Sequence, residues 1–238
     1  MKVEIWSDIM CPFCYIGKRR FENALQQFPH KDNIEVVWKS FQLNPAMKTE
    51  PGKNINQYLS EAKGWNLDYA KQMNTHVTNM AKEVDLDYDF DKAVVANSFD
   101  AHRLIQLAKA HGKGDEMEER LFKAYFTEGK NTADHSTLIQ LGTEIGLDPS
   151  TIKKVLESSE YADKVEQDIY EAQQIGVRGV PYFVLNDRYA ISGAQATETF
   201  SGALNKAWGE WEKERPALKD ISSGNAAVCT TDGECSCS

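Results

Sequence analysis

Cys11 and Cys14 stand three positions apart, with Pro12 and Phe13 between them. Two thiols at that spacing are placed to make and break a disulfide. They follow the alternating segment Val3-Glu4-Ile5-Trp6, which reads as a strand. Cys11 therefore falls where a strand hands over to a helix. Pro12 suits the first helical position, because the N–H it lacks would have had no intrahelical partner. Residues i and i+3 share a helix face, so the two sulfurs can approach bonding distance. Exposed amides and the helix dipole favour negative charge at that end. The thiolate is the form that attacks a disulfide, so the local geometry argues for redox chemistry.

The elements that must hold this pair are legible in outline. Residues 2–6 predict a strand and residues 11–28 a helix, with Phe21, Leu25 and Phe28 at near-helical spacing and Pro29 as its stop. Ile34–Leu43 is rich in β-formers and predicts a second strand, ended by Asn44-Pro45. From about residue 50 to 176 the periodicity is helical, with helices expected over 54–63, 67–83, 92–111, 114–127, 135–145, 149–157 and 160–175. Gly112, Gly129, Gly146 and Gly176 follow periodic segments as helix-ending glycines do, and Asp148-Pro149 reads as a cap with a first-position proline. Past Gly176, Val180–Leu185 and Tyr189–Ala194 predict a hairpin turning at Asn186–Arg188. Phe200, Leu204, Ala207, Trp208 and Trp211 form the apolar stripe of a last helix. The expected organisation is residues 1–48 with 177–215 as one α/β domain, 49–176 as an inserted helical domain, and 216–238 as a small, polar, cysteine-containing tail.

A β-α-β unit whose helix opens on the cysteine pair, followed by a β-β-α unit, is the thioredoxin layout split by an insertion. The stretches Ser7–Gly17, Asn97–Arg103, Gly176–Val184 and Ser192–Gln195 carry a closer likeness. The sequence resembles the DsbA family of thioredoxin-like proteins, in its FrnE-like cytoplasmic branch. That resemblance implies an α/β, thioredoxin-like fold with a large all-helical domain inserted. It also implies roles: Cys11 as the exposed nucleophile, Cys14 as the buried resolving thiol, and Val180-Pro181 as a loop with a cis proline facing the pair. The backbone of Val180 would then lie open beside the disulfide for an extended substrate to pair with. Phe13 and Tyr182 would supply an apolar rim. Kappa-class glutathione transferases and 2-hydroxychromene-2-carboxylate isomerases resemble the same architecture, but carry serine at the position matching Cys11.

These observations lead to an expected function. The protein is read as a cytoplasmic protein disulfide oxidoreductase or isomerase acting on cysteine-containing proteins, with glutathione as a further partner and no bound cofactor required. A glutathione-dependent transferase or isomerase of a small molecule is one alternative; a metal-binding protein that uses its tail is the other. Cys229, Cys235 and Cys237 form a candidate second redox site, or a thiolate site for a soft metal, or inert thiols. The net charge of −9 argues against nucleic acid as a partner, and gives no reason for attachment to an anionic membrane. No apolar run approaches the ~20 residues of a membrane span, and the first strand begins directly after Met1-Lys2. Asp8 is expected as a cap or surface group rather than as a proton acceptor for Cys14. His102, Asn97 and Arg103 are expected as hydrogen-bonded packing between the domains. Trp6, Trp38, Trp208 and Trp211 are expected in the core, and Asp115–Glu119 as a solvated face.

Overall fold

Alternation along Lys2–Ser7 builds the first strand, β1, and decides what each face of the sheet will meet. In the computed structural model, which describes residues 1–214 and the backbone of residues 228–229 and 235–236, β1 is an inner strand. It pairs in parallel with β2 (Glu35–Ser40) across the helix α1 (Pro12–Gln26), the crossover that a parallel neighbour requires. Between β2 and the last strands come a short antiparallel pair, β3 (Glu50–Asn54) with β4 (Val94–Val95), and a set of helices. These are α2 (Ile55–Lys63), α3 (Leu67–Lys82), α4 (Phe99–Ala110), α5 (Gly114–Phe126), α6 (His135–Glu144), α7 (Pro149–Leu156) and α8 (Ala162–Gln174). The chain then returns to the sheet as β5 (Tyr182–Leu185), antiparallel to β1, and β6 (Tyr189–Ser192), antiparallel to β5. The helix α9 (Thr197–Glu214) closes this part. The sheet order β2-β1-β5-β6 is the thioredoxin layout, and the helices between β2 and β5 are the insertion.

Each sheet face has its own core. Val3 and Ile5 of β1 and Phe183 and Leu185 of β5 meet Phe21 of α1 and Phe200, Leu204 and Trp208 of α9. On the other face Trp6, Tyr182 and Val184 pack with Val177 and with Ala172 of α8. Burying one such side chain contributes roughly 1.5–3 kcal/mol, so two filled faces hold a four-stranded sheet that could not stand in water alone. Trp6, Trp38 and Trp208 are buried and Trp211 packs at the edge of the α9 core, as expected. The hairpin turn places Asn186 at φ 52° and Asp187 at φ 55°, a backbone that these two residue types tolerate.

Seven of the expected helices begin and end within two residues of the observed ones. The helix expected over 92–111 begins only at Phe99. Val94 and Val95 pair instead with β3, and the Asn97 side chain accepts a hydrogen bond from the Phe99 amide at 2.9 Å, starting α4 there. β3 itself reads Glu-Pro-Gly-Lys-Asn and carries no β-forming signal; its partner strand creates it. The second strand stops at Ser40 rather than running to Leu43, because the chain there turns to meet Asp8.

Two seams join the helices to the sheet. Asp168 of α8 is buried, and its carboxylate accepts from the Ser40 amide at 2.9 Å and from Gln106 Nε2 at 2.7 Å, while its carbonyl accepts from Trp6 Nε1 at 2.9 Å. Tyr15 of α1 stacks on Phe122 of α5, with centroids 4.9 Å apart and planes 12° apart. Phe122 is fully buried, so Phe122→Ala opens a cavity in the second seam. It should lower stability by about 3–5 kcal/mol, measured by urea unfolding.

Candidate active site

Cys11 is the N-cap of α1, in extended conformation at φ −88° and ψ 110°, with Pro12 at the first helical position. The first turn contains no acidic residue, so nothing offsets the positive end of the helix dipole. The Cys14 amide donates to the Cys11 carbonyl at 3.0 Å, and the Cys11 amide donates to the Asp8 carbonyl at 2.9 Å. Both cysteines are free thiols and both are buried, so Cys11, at 3% exposure beneath the Val180 carbonyl, is not the exposed thiol that the resemblance implies. The Val180–Pro181 bond is cis, as the resemblance implies. The Cys11 thiol donates to the Val180 carbonyl at 3.4 Å, although 169 residues separate the two. This loop can lie so close because residue 17 is glycine: a Cβ there would stand 2.9 Å from Cγ of Pro181.

Cys11 opens onto a groove of about 510 Å³ between the sheet domain and the helices. Its walls are mainly apolar: Met10 and Phe13 on the cysteine side, Met47 from the loop after β2, Leu59 of α2, and Met73 and Val77 of α3. Phe13 is 38% exposed at the rim of this groove. From the helical side Tyr88 donates its hydroxyl to the Pro12 carbonyl at 2.8 Å and fixes the helix start.

The sequence matches the profile of the DSBA-like thioredoxin domain over residues 2–205. The chain belongs to that DSBA-like family. A Bacillus subtilis (strain 168) protein called uncharacterized protein YwbO is 30% identical over 205 residues, covering 85% of this chain and 95% of that one. A crystal structure of a probable DsbA oxidoreductase from Streptomyces coelicolor is 38% identical, with a TM-score of 0.84, covering 99% of this chain and 98% of that one. A 2-hydroxychromene-2-carboxylate isomerase has a TM-score of 0.66 over 91% of this chain and 100% of its own; at 15% identity the likeness is one of fold.

Behind the pair, this DSBA-like chain buries a polar layer. Ser7 and Asp8 at the end of β1, His102 of α4 and Glu118 of α5 are each no more than 1% exposed. Asp8 is neither a surface group nor a side-chain cap of α1. Its carboxylate accepts from the Met10 amide at 3.3 Å and the Leu43 amide at 2.8 Å, and lies 3.5 Å from Nε2 of His102. Ser7 Oγ, both ring nitrogens of His102 and Oε1 of Glu118 have no hydrogen-bond partner among the described residues. Burial pushes the Cys14 thiol up, and the neighbouring Cys11 adds to this; the Asp8 backbone and the Ser7 hydroxyl pull it partly back. Burial also raises Glu118 from 4.5 to about 7, against the opposing effects of His102, the Ser7 hydroxyl and Lys18.

The structure brings Cys11, Cys14, Phe13, Val180 and Pro181 to one place. Tyr182 lies half-buried on the sheet against Trp6 and Val177, and does not line the groove. Asn97 and Arg103 tie loops together, Asn97 to the carbonyls of Pro45 and Met47 and Arg103 to those of Val155, Ser158 and Glu160. Asp115–Glu119 is a solvated face only in part: Asp115 and Glu116 are exposed, and the rest of the stretch turns inward. Met117 and Glu118 are buried, Asp115 accepts from Trp38 at 2.9 Å, and Glu119 pairs with Arg19 and Lys18. The signal for this was present: Glu118 shares one helix face with Leu121, Phe122 and Tyr125, so an acid stands on an apolar stripe. Tyr88 and Ser7 had no signal, since their use depends on distant chain. Cys237 lies outside the described residues. Of Cys229 and Cys235 only the backbone is described, in the antiparallel pair β7 (Val228–Cys229) and β8 (Cys235–Ser236), with Cys229 opposite Cys235. No cluster of three or more metal-ligating His, Cys, Asp or Glu occurs among the described residues.

Glu118 makes stability depend on pH in a set direction. Its folded value lies above its unfolded one, so the folded state holds a proton that the unfolded state has released. Stability from this group is therefore full below about 4.5 and is lost as pH rises to about 7. Glu118→Gln should flatten that slope, narrowing the stability difference between pH 5 and pH 8 by roughly 1–3 kcal/mol in urea unfolding.

Proposed function

We propose that this protein is a thiol–disulfide oxidoreductase and isomerase that exchanges disulfides with cysteine-containing proteins through Cys11-Pro12-Phe13-Cys14. The observation that carries this reading is the pairing of two free thiols at the dipole end of α1 with Cys11 against the Val180 carbonyl. Cys11 attacks a substrate disulfide and forms a mixed disulfide. Cys14 then attacks Cys11 and releases the substrate as a thiol, or a second substrate thiol does so and the pair acts as an isomerase. An extended peptide lies along the Val180–Pro181 backbone, as an added strand does, and its apolar side chains fall against Phe13 and into the groove. Glutathione is the small thiol that returns the pair to its starting state, with the cytoplasm as the setting. The 38% identity to a probable DsbA oxidoreductase supports this reading.

A second reading rests on the groove. A mainly apolar space of about 510 Å³ beside a thiol also suits a small molecule handled with glutathione. Cys14 separates the two. In the dithiol reading, Cys14→Ser traps a mixed disulfide on Cys11, and catalysed oxidation or reduction of a model protein falls to the uncatalysed rate. Cys11→Ala leaves neither activity nor trapped complex. In the small-molecule reading, Cys14→Ser leaves turnover largely intact. Glutathione titration with mass mapping of the cysteines gives the same decision: a Cys11–Cys14 pair that never forms overturns the dithiol reading.

A further inference from the structure

Cys11 attacks a disulfide as a thiolate, and few amides can receive that charge. The side chain of an N-cap residue accepts from the second or third amide of its helix, here those of Phe13 and Cys14. Pro12 has no N–H to offer. The Cys14 amide already donates to the Cys11 carbonyl at 3.0 Å. The Phe13 amide donates to no group among the described residues. As a thiol, Cys11 gives its proton to the Val180 carbonyl at 3.4 Å, a contact that ionisation removes. The donor left for a Cys11 thiolate is the Phe13 amide.

The same peptide group is held at its other end. The Phe13 N–H and the Pro12 C=O belong to one planar unit, and the Tyr88 hydroxyl donates to the Pro12 oxygen at 2.8 Å. A carbonyl oxygen has two lone pairs, so this bond adds to the helix ladder without replacing a rung. A donor on the oxygen draws electron density across the C–N bond and leaves the N–H a stronger donor. Resting on the dithiol reading, we propose that Tyr88 is a positioning residue that stabilises the Cys11 thiolate through the Pro12–Phe13 peptide. The effect is larger for the reduced pair than for the disulfide, because a charged sulfur accepts a hydrogen bond more strongly than a neutral one. Tyr88 thereby makes the pair more oxidising.

The surroundings hold Tyr88 in this place. It lies in the loop between α3 and β4, and the end of α5 grips that loop on both sides of it. The Thr127 hydroxyl donates to the Asp87 carbonyl and the Asp89 amide to the Phe126 carbonyl, each at 2.7 Å. Tyr88 is 5% exposed; its ring stacks on Phe126 at 4.6 Å and meets Phe90 edge-on at 5.7 Å. Burial, and then the nearby Cys11, push the ionisation of the phenol up, so in neutral solution it keeps the proton that it donates. Phe90, two residues on, lines the groove. The helical insertion therefore sets the potential of a cysteine pair that belongs to the sheet domain, as well as walling its groove.

Equilibration in glutathione buffers reads this effect. In the full chain with Cys229, Cys235 and Cys237 replaced by serine, the Cys11–Cys14 disulfide opens to two thiols as two glutathiones become glutathione disulfide. Acid quenching, alkylation and mass measurement give the ratio of reduced to oxidised protein. Tyr88→Phe keeps the ring and its stacking and removes only the donor. It should lower that ratio about three- to tenfold at pH 7. Replacing Tyr88 by 3-fluorotyrosine, a stronger donor of nearly the same shape, should raise it. A hydroxyl that only pins the helix start would lower the urea midpoints of the reduced and oxidised forms equally and leave the ratio where it was. An unchanged ratio in folded Tyr88→Phe therefore overturns this role of Tyr88 while the dithiol reading stands. If Tyr88→Phe does not fold, the fluorotyrosine protein carries the test, and an unmoved ratio there has the same consequence. A Cys11–Cys14 disulfide that never forms in the parent chain overturns the dithiol reading and the role of Tyr88 with it.

Discussion

The first turn of α1 sets one sulfur at the wall of the groove and the other behind it, and the molecule pins that turn from several sides. The Cys11 thiol meets the Val180 carbonyl, the Cys11 amide meets the Asp8 carbonyl, and the Pro12 carbonyl takes the Tyr88 hydroxyl. Those partners come from the end of β1, from the start of β5 and from the helical insertion. A helix N-terminus leaves amides without intrahelical partners, and the value of that end for a thiolate depends on its staying unobstructed. Pro12 removes one amide, and no first-turn acid competes for the rest. Gly17 completes the constraint, because its missing side chain is the space that Pro181 occupies.

The insertion is more than a wall. Its seams are partly ionic: Lys18 is buried among Glu22, Asp115 and Glu119, and those carboxylates outweigh the burial that lowers its basicity. Arg19 binds Glu119, which also accepts from Tyr15 at 2.6 Å, and Asp168 binds Lys39 at 3.0 Å. Buried or half-buried ion pairs contribute little net stability, since desolvation offsets most of the attraction. Their value is geometric. Leaving any one of these charges without its partner is costly, so the helices dock on α1 and β2 in one register. The apolar stacking of Tyr15, Phe122, Tyr88 and Phe126 supplies the favourable energy, and the ion pairs select the arrangement.

The strand–cysteine–helix start, the returning hairpin and most of the helical block were legible because each is a local pattern. Periodicity reports which face is buried, and glycines and capped aspartates report where helices stop. Reading failed where a neighbour overruled the pattern. Val94 and Val95 sit in a helical rhythm, yet pairing with an unpromising Glu-Pro-Gly-Lys-Asn segment made them a strand. Charge usually stands in water, which favours a capping or surface place for Asp8 and a solvated face for Asp115–Glu119; the structure instead closes amides around Asp8, turns Glu118 inward, and sets a tryptophan N–H on Asp115 and two cations on Glu119. Its place next to Pro181 suggests Tyr182 for the rim, but alternation along β5 turns it to the opposite face.

The sequence by itself determined the chemistry: two cysteines on one helix face behind a proline, and a Val-Pro strand to oppose them. Those features depend on neighbours a few positions away, and short-range sterics decide them. Tertiary structure alone decided how far apart the two thiols are in environment. Cys11 borders a mainly apolar groove walled in part by α2 and α3, and Cys14 lies off that groove, buried in the core that α4 and α5 fill. Solvation and proton affinity depend on everything within a few ångströms in space, and residues more than a hundred positions apart in the chain fill that volume.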